Sequence, residues 1–153
     1  MLNLKKEIEY KIGLKTIIDN NTNAAALGEH FYGVGLDVKH MLYLSLGNGI
    51  GAGIVSNGTL LTGTRNAIGE VGHMQMVKNG PQCSCGRYGC LEAVSSGIAI
   101  EKNVLEEKHN SGLLKEHYEK GKKLTTEFVF ECAKKGDLTA LKLVGEALEY
   151  IAH

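Results

Sequence analysis

The chemistry in this chain is concentrated between Gly69 and Glu92, which read Gly-Glu-Val-Gly-His and then, from Gly80, Gly-Pro-Gln-Cys-Ser-Cys-Gly-Arg-Tyr-Gly-Cys-Leu-Glu. Three of the four cysteines, Cys83, Cys85 and Cys90, lie here with His73. Thiolate sulfur and imidazole nitrogen suit tetrahedral Zn²⁺, and a Cys₃His set with no open position is a structural site. Pro81 and the glycines at 86 and 89 let a short loop fold around an ion. A disulfide competes for the same thiols, but Cys83 and Cys85 are too close in sequence to pair easily. Ordinary loop thiols are the other alternative. The spacing is not Cys-x₂-Cys twice, nor Cys₂ followed by His₂, so a nucleic-acid zinc module is not expected.

Two further clusters have a functional pattern. Leu14–Ile18 reads as a short strand that delivers Asp19-Asn20-Asn21-Thr22-Asn23 ahead of a helix from Ala24 to about Phe31. Ligands of open α/β sheets sit outside the carboxyl ends of strands. Helix capping uses the same residue types but needs one of the five. Gly47-x-Gly49-x-x-Ala52 superficially fits a dinucleotide fingerprint. That motif must open a helix. Here Ile54-Val55-Ser56 runs into Asn57-Gly58, a strong hairpin signal, so the glycines join two strands. Such a turn offers backbone N–H groups to a phosphate; the alternative is a bulged strand connection.

The elements that must position these groups follow from periodicity. Residues 2–12 read as a helix with Leu4, Ile8 and Ile12 on one face and Gly13 as its stop. Helices are expected over 97–108 and 125–135. A last helix over 138–152 is expected after an Asp137 cap, with Leu141, Val144, Leu148 and Ile151 on one stripe. Cys132 stands apart from the other cysteines, as a small core residue. The 153 residues suffice for one domain with a real core. Lys plus Arg and Asp plus Glu are both 17, so no charge footprint for DNA or an anionic membrane exists. Without an apolar run of membrane length or a signal peptide, a cytoplasmic protein is expected.

Asn23-Ala-Ala-Ala-Leu-Gly-Glu29, Gly47-Asn-Gly-Ile-Gly-Ala-Gly-Ile54 with Asn57-Gly58, Ile68-Gly-Glu-Val-Gly-His73 and Cys83-Ser-Cys-Gly-Arg-Tyr-Gly-Cys-Leu-Glu92 occur in that order. With these motifs the chain resembles the ROK family of bacterial sugar kinases and sugar-responsive repressors. The resemblance implies an α/β, actin-like ATPase (ribonuclease H-like) lobe with a zinc-bound loop. Residues 1–153 would be a single such lobe, a fragment without the phosphate-loop lobe and without any winged helix. The family's Asn-Asp pair falls on Asn20 and Asn21. Its second member is the general base of the kinases, and an amide cannot take that proton. No catalytic residue is therefore assigned. Asn48 also stands where the kinases usually carry Thr.

The resemblance assigns sugar contacts to Asn20, Asn21, Glu70, His73 and Glu92, phosphate contacts to Gly47, Asn48 and Gly49, and the structural zinc to His73, Cys83, Cys85 and Cys90. Amides and carboxylates suit vicinal hydroxyls, because a missing hydroxyl leaves them unpaired. The expected function is effector sensing in a sugar-responsive transcriptional regulator, with a monosaccharide as ligand. The alternatives are an ATP-dependent sugar kinase, with ATP and Mg²⁺, and a zinc-stabilised interaction domain without a sugar site. A homo-oligomer is expected, since a lone lobe exposes an apolar face. DNA would be reached only through a winged helix outside these residues, and no membrane contact is expected.

Overall fold

Asn3 opens the first helix: its side-chain oxygen accepts from Lys6 N–H at 3.2 Å, and α1 runs Leu4–Ile12. Gly13 ends it in the left-handed conformation, φ 67°, as expected of a glycine stop. The structure is a computed structural model and describes residues 3–107 and 112–153. These divide into two units, Met1–Tyr43 with Gly53–Ile68, and Leu44–Ala52 with Gly69–His153. Position 2 of the helix expected over 2–12 and position 108 of the helix expected over 97–108 lie outside the described residues.

In the first unit, the expected strand Leu14–Ile18 does not form. A strand must pass its backbone groups to a neighbour. Thr16 N–H instead donates to the Glu9 carboxylate at 2.9 Å, and Leu14 and Ile17 are exposed. Helix α2 spans Asn21–Tyr32 and so opens three residues before Ala24. Asn20 is its cap, accepting from Thr22 N–H at 2.7 Å. Gly53 lies against α2: a side chain there would run into Ala26 and the carbonyl of Thr22.

Strands β1 (Met41–Leu46), β2 (Ile50–Ser56) and β3 (Thr59–Leu60) form a sheet of order β1-β2-β3. β2 and β3 are antiparallel, with Val55 opposite Leu60 and Ser56 opposite Thr59. Asn57 and Gly58, at φ 50° and 73°, make the turn that Asn-Gly calls for. Gly47 and Gly49 join β1 to β2, so the rejection of a dinucleotide fingerprint holds.

The second unit holds a 3₁₀ turn, Val71–His73, and helices α3 (Leu91–Ser95), α4 (Gly97–Glu107), α5 (Gly112–Glu119), α6 (Thr126–Lys134) and α7 (Leu138–Ala152). Its core is Ile100, Val104, Leu114, Leu124, Val129, Cys132, Ala140, Leu143, Val144 and Ala147. Cys132 is thus a core residue, as expected. Along α7 the buried stripe is Ala140, Leu143, Val144 and Ala147; Leu141 and Leu148 of the expected stripe are about half exposed, at 47% and 50%. Ala140 and Ala147 let neighbouring helices approach, Leu143 packs between them, and Leu141 and Leu148 turn to the flank. Asp137 is buried and ties two helices together. Its Oδ1 accepts from Ala140 N–H at 3.0 Å and its Oδ2 from Leu113 N–H at 2.8 Å.

Candidate metal centre

After the 3₁₀ turn, residues 74–77 run back along 88–91. Leu91 N–H donates to Met74 O at 2.9 Å and Met76 N–H to Gly89 O at 2.8 Å. Between them Cys83 to Gly86 close a tight turn, with Gly86 N–H donating to Cys83 O at 2.9 Å and Cys83 N–H to Arg87 O at 2.8 Å. Two glycines make this path possible. Gly86 has φ 87°. Gly89 has φ 70°, and a side chain there would run into the Val77 carbonyl.

The loop brings the four expected ligands together. One donor atom from each of His73, Cys83, Cys85 and Cys90 lies within 4.8 Å of the others. Cys85 Sγ and Cys90 Sγ are 3.8 Å apart, and His73 Nδ1 is 3.5 Å from Cys83 Sγ. Sulfurs at about 2.3 Å from a tetrahedral Zn²⁺ stand about 3.8 Å from one another, so the donor set fits that ion. Cys85 is exposed, and its thiol is lowered to about 6, first by the Arg87 N–H and then by the Arg87 side chain. Cys90 is buried, and loss of hydration pushes it up to about 11. One sulfur is therefore an anion at neutral pH, ready to meet a cation.

Glu70 and Glu92 lie beside this loop. Glu70 Oε2 is 3.8 Å from His73 Nε2, the ring nitrogen on the side away from Cys83. Glu92 stands in the first turn of α3, with Oε1 accepting from Ser84 Oγ–H at 3.0 Å and Oε2 from Ile50 N–H at 3.1 Å. In the glycine turn, Gly47 N–H donates to Gly49 O at 3.0 Å, and Gly47 O accepts from Gly97 N–H at 2.8 Å. A cavity of about 180 Å³ opens beside it, lined among others by Asn48, Ser95, Thr126 and Phe130.

Asn20 and Asn21 belong to the other unit. Asn20 Oδ1 is engaged in capping, so its amide nitrogen is what it offers a ligand. Asp19 Oδ1 accepts from Asn20 N–H at 2.7 Å and from Asn23 Nδ2 at 3.0 Å. Asn21 is exposed, at the first position of α2.

The ROK family model matches residues 1–153 of the chain. The chain belongs to the ROK family. A glucokinase of Halalkalibacterium halodurans is 39% identical over 151 residues, which cover 97% of this chain and 46% of that protein. The crystal structure of a ROK family transcriptional regulator, a homologue of the E. coli MLC protein, superposes with a TM-score of 0.83 at 34% identity, covering 97% of this chain and 37% of that one. A ROK family glucokinase from Streptomyces griseus, in complex with glucose and AMPPNP, gives 0.77 at 28%, covering 96% and 49%. The chain spans about half the length of the curated glucokinases it matches. The α/β architecture read from the sequence agrees with these ROK structures. Among the described residues, no helix is long and apolar enough to cross a membrane.

Sequence reasoning misses three contributors. Ser84, inside the cysteine motif, has no signal of its own beside Cys83 and Cys85. Gly97 opens α4 just after the break at Ser96, and its N–H holds the glycine turn. Gly69 accepts from Ala52 N–H at 2.7 Å, and a side chain there would run into the Ala52 carbonyl. That glycine precedes Glu70 in the quoted motif, so a demand for close backbone approach was available as a signal.

Proposed function

We propose that this chain is a monosaccharide-binding, zinc-held part of a ROK protein, and that it serves as the effector-sensing part of a sugar-responsive regulator. The observation that carries the sugar reading is the Glu70–His73 pair set on the Cys₃His cluster. An ion held through His73 Nδ1 and the three sulfurs fixes the imidazole plane, leaving Nε2 beside a carboxylate. Such a pair recognises adjacent hydroxyls by one donor and one acceptor. Glu92 supplies a second carboxylate in the same unit, and Asn20 and Asn21 are the first unit's candidates for hydroxyl contacts. The ion's part is structural: it would orient His73 and close the 73–90 loop.

Asn21 favours a sensor over a kinase, because an amide at the general-base position cannot accept a proton from an attacking hydroxyl. The kinase reading has its own support in the glucokinase relatives and in the glycine turn, where the amides of Asn48 and Gly49 suit a phosphate. Calorimetric titration of the zinc-loaded chain with common hexoses and pentoses tests sugar binding. Saturable heat with one of them, weakened by Glu70→Gln, is expected; no heat with any at millimolar sugar refutes it. A coupled ADP-release assay separates sensor from kinase: sugar-dependent turnover above about 1 s⁻¹, the low end of ordinary enzymes, refutes the sensor reading.

A further inference from the structure

We propose that Ser84 is a positioning residue which, through Glu92, ties the order of the metal loop to the glycine turn. The proposal rests on the zinc reading of the loop for its cause and on hydrogen bonds within one unit for its route. Ser84 lies between two expected ligands, Cys83 and Cys85. Its Oγ–H donates to Glu92 Oε1 at 3.0 Å, and Glu92 Oε2 accepts from Ile50 N–H at 3.1 Å, the residue that follows the glycine turn. The carboxylate therefore links residue 84 to residue 50.

Metal binding sharpens the role of the serine. Cys83 Sγ is 4.0 Å from Glu92 Oε1 and 3.8 Å from Ser84 Oγ. A metal-bound Cys83 is a thiolate, with no proton to give and a charge that repels the carboxylate. The Ser84 hydroxyl then supplies the donor that keeps Oε1 beside the loop. At the other end, Gly49 makes room: a Cβ there would lie 2.6 Å from Glu92 Oε2, so a side chain would push the carboxylate off Ile50 N–H. Gly97 fastens the turn at Gly47 O, and Glu92 fastens it at Ile50. The second fastening continues into the metal loop. One serine hydroxyl thus sets both a proposed sugar contact and the turn proposed to meet phosphate.

The test is amide hydrogen exchange by NMR on the full chain, as wild type, Ser84→Ala and Gly49→Ala, with zinc content measured on each. The amide of Val129, in the α6 core, serves as reference. Both variants should hold zinc as the wild type does, and in both the Ile50 amide should exchange about threefold to tenfold faster relative to Val129, the scale of one lost hydrogen bond. Chelation should raise Ile50 exchange in the wild type and add little in Ser84→Ala. Ile50 protection unchanged in Ser84→Ala overturns the proposal, as does exposure in that variant that appears only when zinc is lost. If chelation unfolds the chain, Val129 reports it and the zinc-loaded variants decide. A wild-type chain that takes up no zinc sinks the metal reading, while Ile50 in the two variants still judges the hydrogen-bonded route.

Discussion

Replacing an exposed cysteine should harm this protein more than replacing a buried one, and removing zinc should reverse that order. Cys132 is 1% exposed within the helical core, whereas Cys85 is exposed on the loop. Cys132→Ala deletes one packed sulfur and leaves a hole of about one atom, worth about 1–2 kcal/mol. In a chain of 153 residues that corresponds to a fall in Tm of about 2–8 °C. Cys85→Ala removes no packed atom. If Cys85 is one of four zinc ligands, however, the substitution removes part of an interaction that in small zinc modules exceeds any single core contact, because metal binding there is folding free energy. The zinc-loaded Cys85→Ala chain should melt about 10 °C or more below wild type, beyond the Cys132→Ala loss. In excess chelator Cys85→Ala should match the chelated wild type, while Cys132→Ala keeps its few degrees. Thermal melts by circular dichroism with and without chelator, beside elemental analysis, measure both arms. A Cys132→Ala loss exceeding that of Cys85→Ala in zinc, or an unchanged wild-type melt on chelation, refutes the reasoning.

Asp137→Ala should cost about 2–4 kcal/mol in urea unfolding, since it removes the α7 cap and leaves the Leu113 N–H without its carboxylate. Zinc should be lost on acidification, because protons compete for the thiolates. Cys85, lowered to about 6 without metal, is already charged at neutral pH, and a bound ion would hold the thiolate further against protonation, so a metal titration should show affinity that falls steadily as pH is lowered from 7; affinity independent of pH would contradict it. Gly69→Ala should cost about 2 kcal/mol or more in denaturant titration, since the new methyl meets the Ala52 carbonyl and φ is 93°; stability equal to wild type would contradict that close approach.

How much of this was legible in the sequence depends on how local each cause is. The gathering of His73, Cys83, Cys85 and Cys90 is written in residue type and in glycines that permit tight turns. The Asn57-Gly58 hairpin and the cap at Asp137 are equally local, whereas Asn3 and Thr125 cap helices expected to start at or before them. The strand expected at Leu14–Ile18 fails for the opposite reason. An apolar run becomes a strand only when another strand takes its hydrogen bonds, and the run itself does not say where that partner is. The α7 stripe is right at Val144 but displaced around it: Ala140, Leu143 and Ala147 are buried where Leu141 and Leu148 are expected, because all these positions fit a helical period and the packing partner selects among them. Short α3 and α5 escape because five and eight residues show little periodicity. Glu92 is visible as a candidate, but its bond to Ile50 spans 42 positions and needs coordinates.

Binding a nucleotide and using it are separable demands, and on the proposed reading this chain meets them unequally. A phosphate asks for backbone N–H groups, which a glycine turn provides whatever the side chains are. Gly47 N–H is already taken by Gly49 O, which leaves recognition to the turn's other amides and to whatever fastens them in place. Phosphoryl transfer asks in addition for a group that accepts a proton from the attacking hydroxyl, and removing such a base typically costs about 10²–10⁴-fold. Asn21 can hold a hydroxyl by hydrogen bonding in either direction but cannot take its proton. A chain so equipped keeps the energetic reason to bind a sugar, and its glycine turn keeps the reason to meet a phosphate, while the chemical step loses its driving group. Selection on such a protein would act on the difference in stability between liganded and unliganded forms, which is what a sensor requires.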